Sequence, residues 1–143
     1  MRVKDIMRRD IKTVSPEENV REGAKLMKKF NVGSLLVVKD SDLLGIVTEN
    51  DIIEKVVAEG KNANTMKMKD IMTENVIVID PEADIEEAAA TMVKYNIKKL
   101  PVLIDKVLVG IVTATDIMAA EPRIMEEIEG FVLLAKKRTK IAG

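Results

Sequence analysis

Apolar residues along this chain form two kinds of pattern, helical stripes and short unbroken runs, and these follow one another in the same order twice. Val20, Ala24, Met27 and Phe30 recur at helical spacing, as do Ile85, Ala88, Met92 and Tyr95, so each set predicts a helix with one apolar face. Asn19 with Glu22, and Asp84 with Glu87, have the spacing of a helix N-cap and its reciprocal acid and predict where those helices begin. After each stripe comes an apolar run, Leu35 to Val38 or Leu100 to Ile104. A polar turn follows, Asp40-Ser41-Asp42 or Asp105-Lys106, then a second run ending in Gly-Ile-Val-Thr. Two runs split by a short turn predict adjacent strands joined as a hairpin. A helical pattern resumes over Asp51 to Ala58 and Asp116 to Ala120, and a short first strand is expected near Thr13-Val14 and Val78-Ile79.

This recurrence is an internal duplication. Laying residues 3–53 over 68–118 without a gap makes about 20 of about 50 positions identical, among them Lys4-Asp5-Ile6-Met7 on Lys69-Asp70-Ile71-Met72 and Asn31 on Asn96. The predicted fold is α/β (α+β): two strand–helix–strand–strand–helix repeats over 1–60 and 68–120, joined by a polar linker at 61–67 that follows Gly60. A unit of that size is small for an independent core, so the copies are expected to pack about a pseudo-two-fold axis. Residues 121–143 have no counterpart in the first copy. Ile124, Ile128, Phe131, Val132 and Ala135 predict one more helix, closed by Lys136-Lys137-Arg138, where positive charge suits a helix C-terminus.

Composition narrows the chemistry. The 143 residues include no Cys and no His, which removes thiolate metal clusters, histidine acid–base catalysis, Cys and Ser–His nucleophiles and disulfides. Lys plus Arg total 23 against 24 for Asp plus Glu, a formal charge of -1, so no global electrostatic footprint for nucleic acid exists. Phe30, Tyr95 and Phe131 are too few rings for a base-stacking platform. The longest aliphatic run, Leu35 to Val38, is far short of the roughly 20 residues that span a bilayer, and Asp5 stands where a secretory signal would be apolar. The expectation is a cytoplasmic protein with no membrane contact.

The corner where a strand ends in Gly-Ile-Val-Thr, with an Asp three residues after the Thr, is the candidate site, and it occurs twice. Helix amides and the hydroxyls of Thr48 and Thr113 suit phosphate; the carboxylates of Asp51 and Asp116 suit the paired hydroxyls of a ribose; Gly45 and Gly110 allow close approach of a ligand or backbone. The structural alternative is that both acids simply cap their helices. If so, Asp116→Ala lowers the stability of the ligand-free protein; if the acid serves the ligand, that stability barely changes. No P-loop, no Gly-x-Gly-x-x-Gly and no nucleophile with a base beside it is present, so catalysis on a bound nucleotide is not expected.

Taken with the Asp-Ile-Met openings and Lys98-Lys99-Leu100-Pro101-Val102, the repeated Gly-Ile-Val-Thr-x-x-Asp-Ile resembles the cystathionine beta-synthase (CBS) domain, in the tandem pair called a Bateman module, over residues 1 to about 120. The resemblance implies two clefts between the copies that bind adenosine-containing ligands: AMP, ADP, ATP or S-adenosylmethionine. It implies ribose contacts from Asp51 and Asp116 and phosphate contacts near Thr48, Thr113 and Thr115, with Asn50 replacing Thr115 in the first copy. It also implies an adenine pocket around Ser34 and Leu35 and around Leu100 and Pro101, with Thr13 and Val78 as lining residues. Leu36 stands where Pro101 does, and Lys98 and Lys99 replace Gly33 and Ser34, where they either supply positive charge to a polyphosphate or simply face solvent at the strand end. The two sites are therefore expected to differ.

The function expected is a non-catalytic sensor with a regulatory ligand, no catalytic cofactor and no metal, signalling to an unidentified protein or through a homodimer. Two other readings remain: a scaffold or nucleic-acid-associated protein using residues 124–135 or the Lys136 to Lys140 tail, and a nucleotide enzyme.

Overall fold

The computed structural model describes residues 1–136. In chain order the elements begin with α1 (Val3–Ile6), β1 (Thr13–Val14), α2 (Val20–Phe30), β2 (Ser34–Lys39), β3 (Asp42–Thr48) and α3 (Glu49–Ile52), which runs into a π-helical turn at Ile53–Val57. Then come α4 (Met68–Ile71), α5 (Ile85–Tyr95), β4 (Lys99–Ile104), β5 (Val107–Thr113), α6 (Ala114–Ala120), α7 (Ile124–Glu127) and α8 (Phe131–Lys136). They form two compact units, residues 12–76, and residues 1–11 with the chain from Ile77 onward. The segment before each repeat's first strand is thus exchanged: α1 lies in the unit of the second repeat.

In the unit of residues 12–76, β1 pairs parallel with β2 and β2 antiparallel with β3, and the centre of β2, Leu35 to Val37, is wholly core. The hairpin turn is Asp40-Ser41, both at positive φ as a tight two-residue turn requires, and Asp42 already pairs with Lys39. α2 opens on Asn19, whose side chain accepts the Glu22 N–H at 2.8 Å. The reciprocal bond differs from expectation: the Asn19 N–H goes to Glu18, and Glu22 pairs with Lys25 one turn on.

In the other unit β4 and β5 form the matching hairpin, with the same register shift after Val102 that β2 shows after Val37. The strand expected at Val78-Ile79 is reduced to one residue, Ile79, bridging parallel to Val102. α5 starts after Asp84 as expected, but that side chain makes no cap bond. The C-terminal helix is two short ones, because Gly130 at φ 86° breaks it. The break shifts the helical phase, so Leu134 rather than Val132 joins Ile124 and Phe131 in the core. Lys137 to Lys140, the rest of the predicted basic cluster, lie outside the described residues.

Each predicted stripe fails at its last member in the same way: Phe30 is 37% and Tyr95 46% exposed. Both are the final residue of their helix, before an Asn in the left-handed conformation that turns the chain away. Among the described residues no helix is long and apolar enough to cross a membrane.

Gly45 and Gly110 serve this architecture. A Cβ on Gly45 would lie 2.8 Å from the Thr73 carbonyl oxygen and 2.9 Å from Met72 Sδ; one on Gly110 would meet Met7 Sδ at 2.6 Å and the Arg8 carbonyl at 3.1 Å. The glycines let the exchanged segments cross the strands, where Ile46 and Thr73 trade two main-chain bonds and Arg8 and Ile111 do the same. Gly45→Ala is expected to cost about 1–3 kcal/mol, since the obstructing carbonyl is itself bonded to the Ile46 N–H. Gly110→Ala should cost less, a flexible thioether being the nearest obstacle, and urea unfolding of the pair checks the order.

Candidate functional site

Both corners are built by the capping box that Thr-x-x-Asp predicts, two residues earlier than the helical pattern suggested. Thr48 and Thr113 are the N-caps, and Asp51 and Asp116 are the third residues of α3 and α6. In the first corner the Thr48 N–H donates to Asp51 Oδ2 at 2.9 Å and the Asp51 N–H donates to Thr48 Oγ1 at 3.2 Å. In the second the corresponding distances are 3.3 and 3.1 Å. Both acids therefore take part in capping, as the structural alternative has it, but from the third helical position: the N-caps are the threonines. The first helix amides are also occupied, Glu49 N–H on the Gly33 carbonyl and Ala114 N–H on that of Lys98.

A carboxylate offers about four acceptor positions, and capping uses only part of them. The remainder faces a cation in each corner. Asp51, 8% exposed, holds Lys55 Nζ at 3.0 Å, and that ammonium also donates to the Ile71 carbonyl at 2.8 Å. Asp116 holds Arg8: Nε lies 3.1 Å from each carboxylate oxygen and Nη2 lies 2.8 Å from Oδ1. Burial alone would raise the Asp116 pKa, but the bonds from Arg8 and Thr113 outweigh it and hold the group below the usual carboxylate range. Arg8, largely exposed, is held protonated in turn by the hydrogen bonds and charge of Asp116.

Around the first corner the fold brings Ser34 opposite Thr48 in register, with Asn50 exposed on α3 and Thr13 exposed on β1, paired with Leu36. Around the second, Lys99 lies opposite Thr113, Lys98 precedes it, and Thr115 is exposed on α6. Leu35, Leu100 and Pro101 are buried, so what they offer a ligand is main chain rather than side chain. Val78 is 39% exposed and lies beside the bridging Ile79.

Two site residues escape the sequence reading. Lys55 carries a signal, its i,i+4 spacing from Asp51. Arg8 carries none, since 108 residues separate it from Asp116. Arg8 matches Thr73 in the duplication, so the first repeat has a threonine where the second has the arginine. Among the described residues no cluster of three or more metal-ligating side chains occurs.

A family model described as CBS domain matches the chain twice, over residues 3–58 and 68–123. An uncharacterized protein of Methanopyrus kandleri is 39% identical over 89% of this chain, which spans 66% of that protein. The CBS domain-containing protein YhcV of Bacillus subtilis is 35% identical over 80% of this chain and 81% of its own length. Among solved structures, the CBS domain pair of protein MJ0100 in complex with 5′-methylthioadenosine and S-adenosyl-L-methionine is 35% identical, with a TM-score of 0.71, covering 84% of this chain and 94% of that one.

Proposed function

The chain belongs to the CBS domain family, with two copies in tandem, and from that premise we propose that it is a non-catalytic regulatory module whose strand-to-helix corners bind adenosine-containing ligands. The observation that carries the reading is that both corners hold a carboxylate and a threonine in register through the duplication, each carboxylate with a cation at 3.0 Å or closer that comes from a different place in each repeat. Support also comes from the adenosine compounds bound by the similar pair of MJ0100.

In this reading the ribose hydroxyls take the carboxylate oxygens now turned toward Lys55 and Arg8, and the displaced cations move to the ligand's own negative charge. Arg8 is suited to this, because a guanidinium has five donors and binds phosphate oxygens as readily as carboxylate. The second corner, with Arg8, Lys98, Lys99, Thr113 and Thr115, favours a nucleotide polyphosphate. The first, with Gly33, Ser34 and Asn50 in the matching places, favours a less anionic adenosine compound. Binding changes the energy of helices that start at the corner, and typical coupling of about 1–3 kcal/mol is passed to a partner protein or to a second copy.

Calorimetric titration of the full chain with AMP, ADP, ATP and S-adenosylmethionine tests this. Saturable binding of at least one is expected, with ATP affinity falling as salt rises. No heat from any of the four at millimolar concentration, or sustained turnover of ATP, contradicts the proposal.

A further inference from the structure

The two corner acids are copies of one another, but the cations that hold them are not. Lys55 has Ala120 as its match in the duplication and Arg8 has Thr73. The two cations also grip differently. In the first corner the carboxylate oxygens divide their partners: Asp51 Oδ2 accepts from the Thr48 N–H at 2.9 Å and the Thr48 hydroxyl at 3.2 Å, and Oδ1 takes Lys55 at 3.0 Å. In the second, Arg8 spans the whole carboxylate, its Nε 3.1 Å from both oxygens and its Nη2 2.8 Å from Oδ1, while the Thr113 N–H reaches Oδ2 at a longer 3.3 Å.

The difference decides what each corner asks of a ligand, because a ribose diol needs the carboxylate as its acceptor. In the first corner one ammonium on a flexible stem stands at one oxygen, and when moved aside it keeps the Ile71 carbonyl as a second acceptor. In the second, the ligand meets a planar fork lying across both oxygens, carried on backbone that two main-chain bonds fix to Ile111. Moving that fork aside loses all of its bonds to Asp116, a loss offset only if the incoming molecule brings an oxyanion of its own. A phosphate does so, and accepts from the guanidinium in the same paired geometry as the carboxylate. An uncharged adenosine compound does not, and has to bind against the ion pair.

We propose that Arg8 is the specificity-determining residue of the second corner, a competitor for Asp116 that phosphate-bearing adenosine ligands draw off and uncharged ones do not. This rests on the proposed function and adds the ground on which that corner selects, rejection of the uncharged ligand as well as attraction of the charged one.

Arg8→Thr is the variant that tests it, because the first repeat already carries a threonine at this place, where Thr73 trades the same two main-chain bonds with Ile46. Titrations of the full chain with ATP and with adenosine are read at the amide resonances of Thr113 and Thr115, which report the second corner by itself. The two affinities should move in opposite directions. Adenosine should bind about two- to fivefold more tightly to the variant, relieved of an exposed ion pair, and ATP at least about fivefold more weakly, having lost a charged donor. Their ratio then falls at least about tenfold. Arg9→Thr, which removes the same charge one residue along, should change neither. ATP and adenosine weakened alike would make Arg8 a support of the corner and overturn the proposal, as would a variant that binds both like the wild type or one that Arg9→Thr equals. ATP weakened with adenosine unchanged would leave a phosphate contact and overturn the competition. Wild-type resonances that neither ligand moves would overturn this proposal together with the reading it rests on.

Discussion

Phe131→Ala should lower the stability of the ligand-free protein by about 3–5 kcal/mol, because the ring is wholly buried and its removal leaves both lost transfer energy and a cavity. The residue lies in the segment with no counterpart in the first repeat, where deletion might be expected to be harmless. The packing says otherwise: Phe131 joins Ile124 and Leu134 in one cluster with Ala89, Met92 and Ile117, and the turn before it brings Gly130 so close to Val93 that an added Cβ would sit 3.1 Å from the valine. Leu133→Ala, two residues on but exposed, should change stability by no more than about 0.5 kcal/mol. Chemical unfolding of the two variants beside the wild type reads the difference. Equal, small effects would mean that α7 and α8 are not part of the folded unit.

The second large effect is on binding. Asp116→Ala removes the acceptor proposed for the ribose hydroxyls, and losing charged hydrogen bonds of about 1.5–3 kcal/mol should weaken the adenosine ligand by about 10–100-fold. The capping box revises the expectation that the ligand-free protein would hardly notice. The same carboxylate accepts from Thr113 and holds Arg8, so a further stability loss of about 0.5–2 kcal/mol is expected from the cap alone. Asp116→Asn separates the two effects, because an amide keeps an acceptor for the Thr113 N–H but loses the charge on Arg8. It should therefore recover part of the stability while remaining weak in binding. The pH dependence has a definite sign. A carboxylate held below its ordinary range stabilises the fold above the unfolded value of about 4, and that stability is lost as acid protonates it in the folded state. The low-pH fall in melting temperature should flatten in Asp116→Asn.

Much of this was readable in the residues, for identifiable reasons. Helices α2 and α5 and both hairpins follow from periodicity, because a stripe such as Val20, Ala24 and Met27 has one physical use. The corner's position follows from Thr-x-x-Asp, whose spacing is that of a capping box. What stayed hidden depends on long-range contact. The exchange of α1 and α4 is what makes Gly45 and Gly110 necessary: of the two close approaches the glycines allow, by ligand or by backbone, it supplies the backbone one, at Thr73 and Arg8. Arg8 on Asp116 is a contact of the same kind. The C-terminal pattern predicts one helix, whereas Gly130 resets the phase in mid-pattern. Phe30 and Tyr95 continue the apolar stripe to the end of each helix, as periodicity does, whereas burial need not.

Glu17 shows how closely the exchange repeats. It lies 2.7 Å from Lys67 and 2.9 Å from Lys69, while Glu82, its match, lies 2.7 Å from Lys4. Hydrogen bonds from the two lysines take the Glu17 pKa down to about 2. Exposed pairs like these add little stability, and they mark where each exchanged segment lies on its unit.

The most direct test of the central claim is an amide-resonance titration of the full chain with ATP. Saturable shifts concentrated at Thr113, Thr115 and Asp116, with weaker ones from Thr48 to Asp51, are the expected result. Bound ATP that leaves both of these stretches unmoved would contradict the assignment of ligand binding to the paired corners.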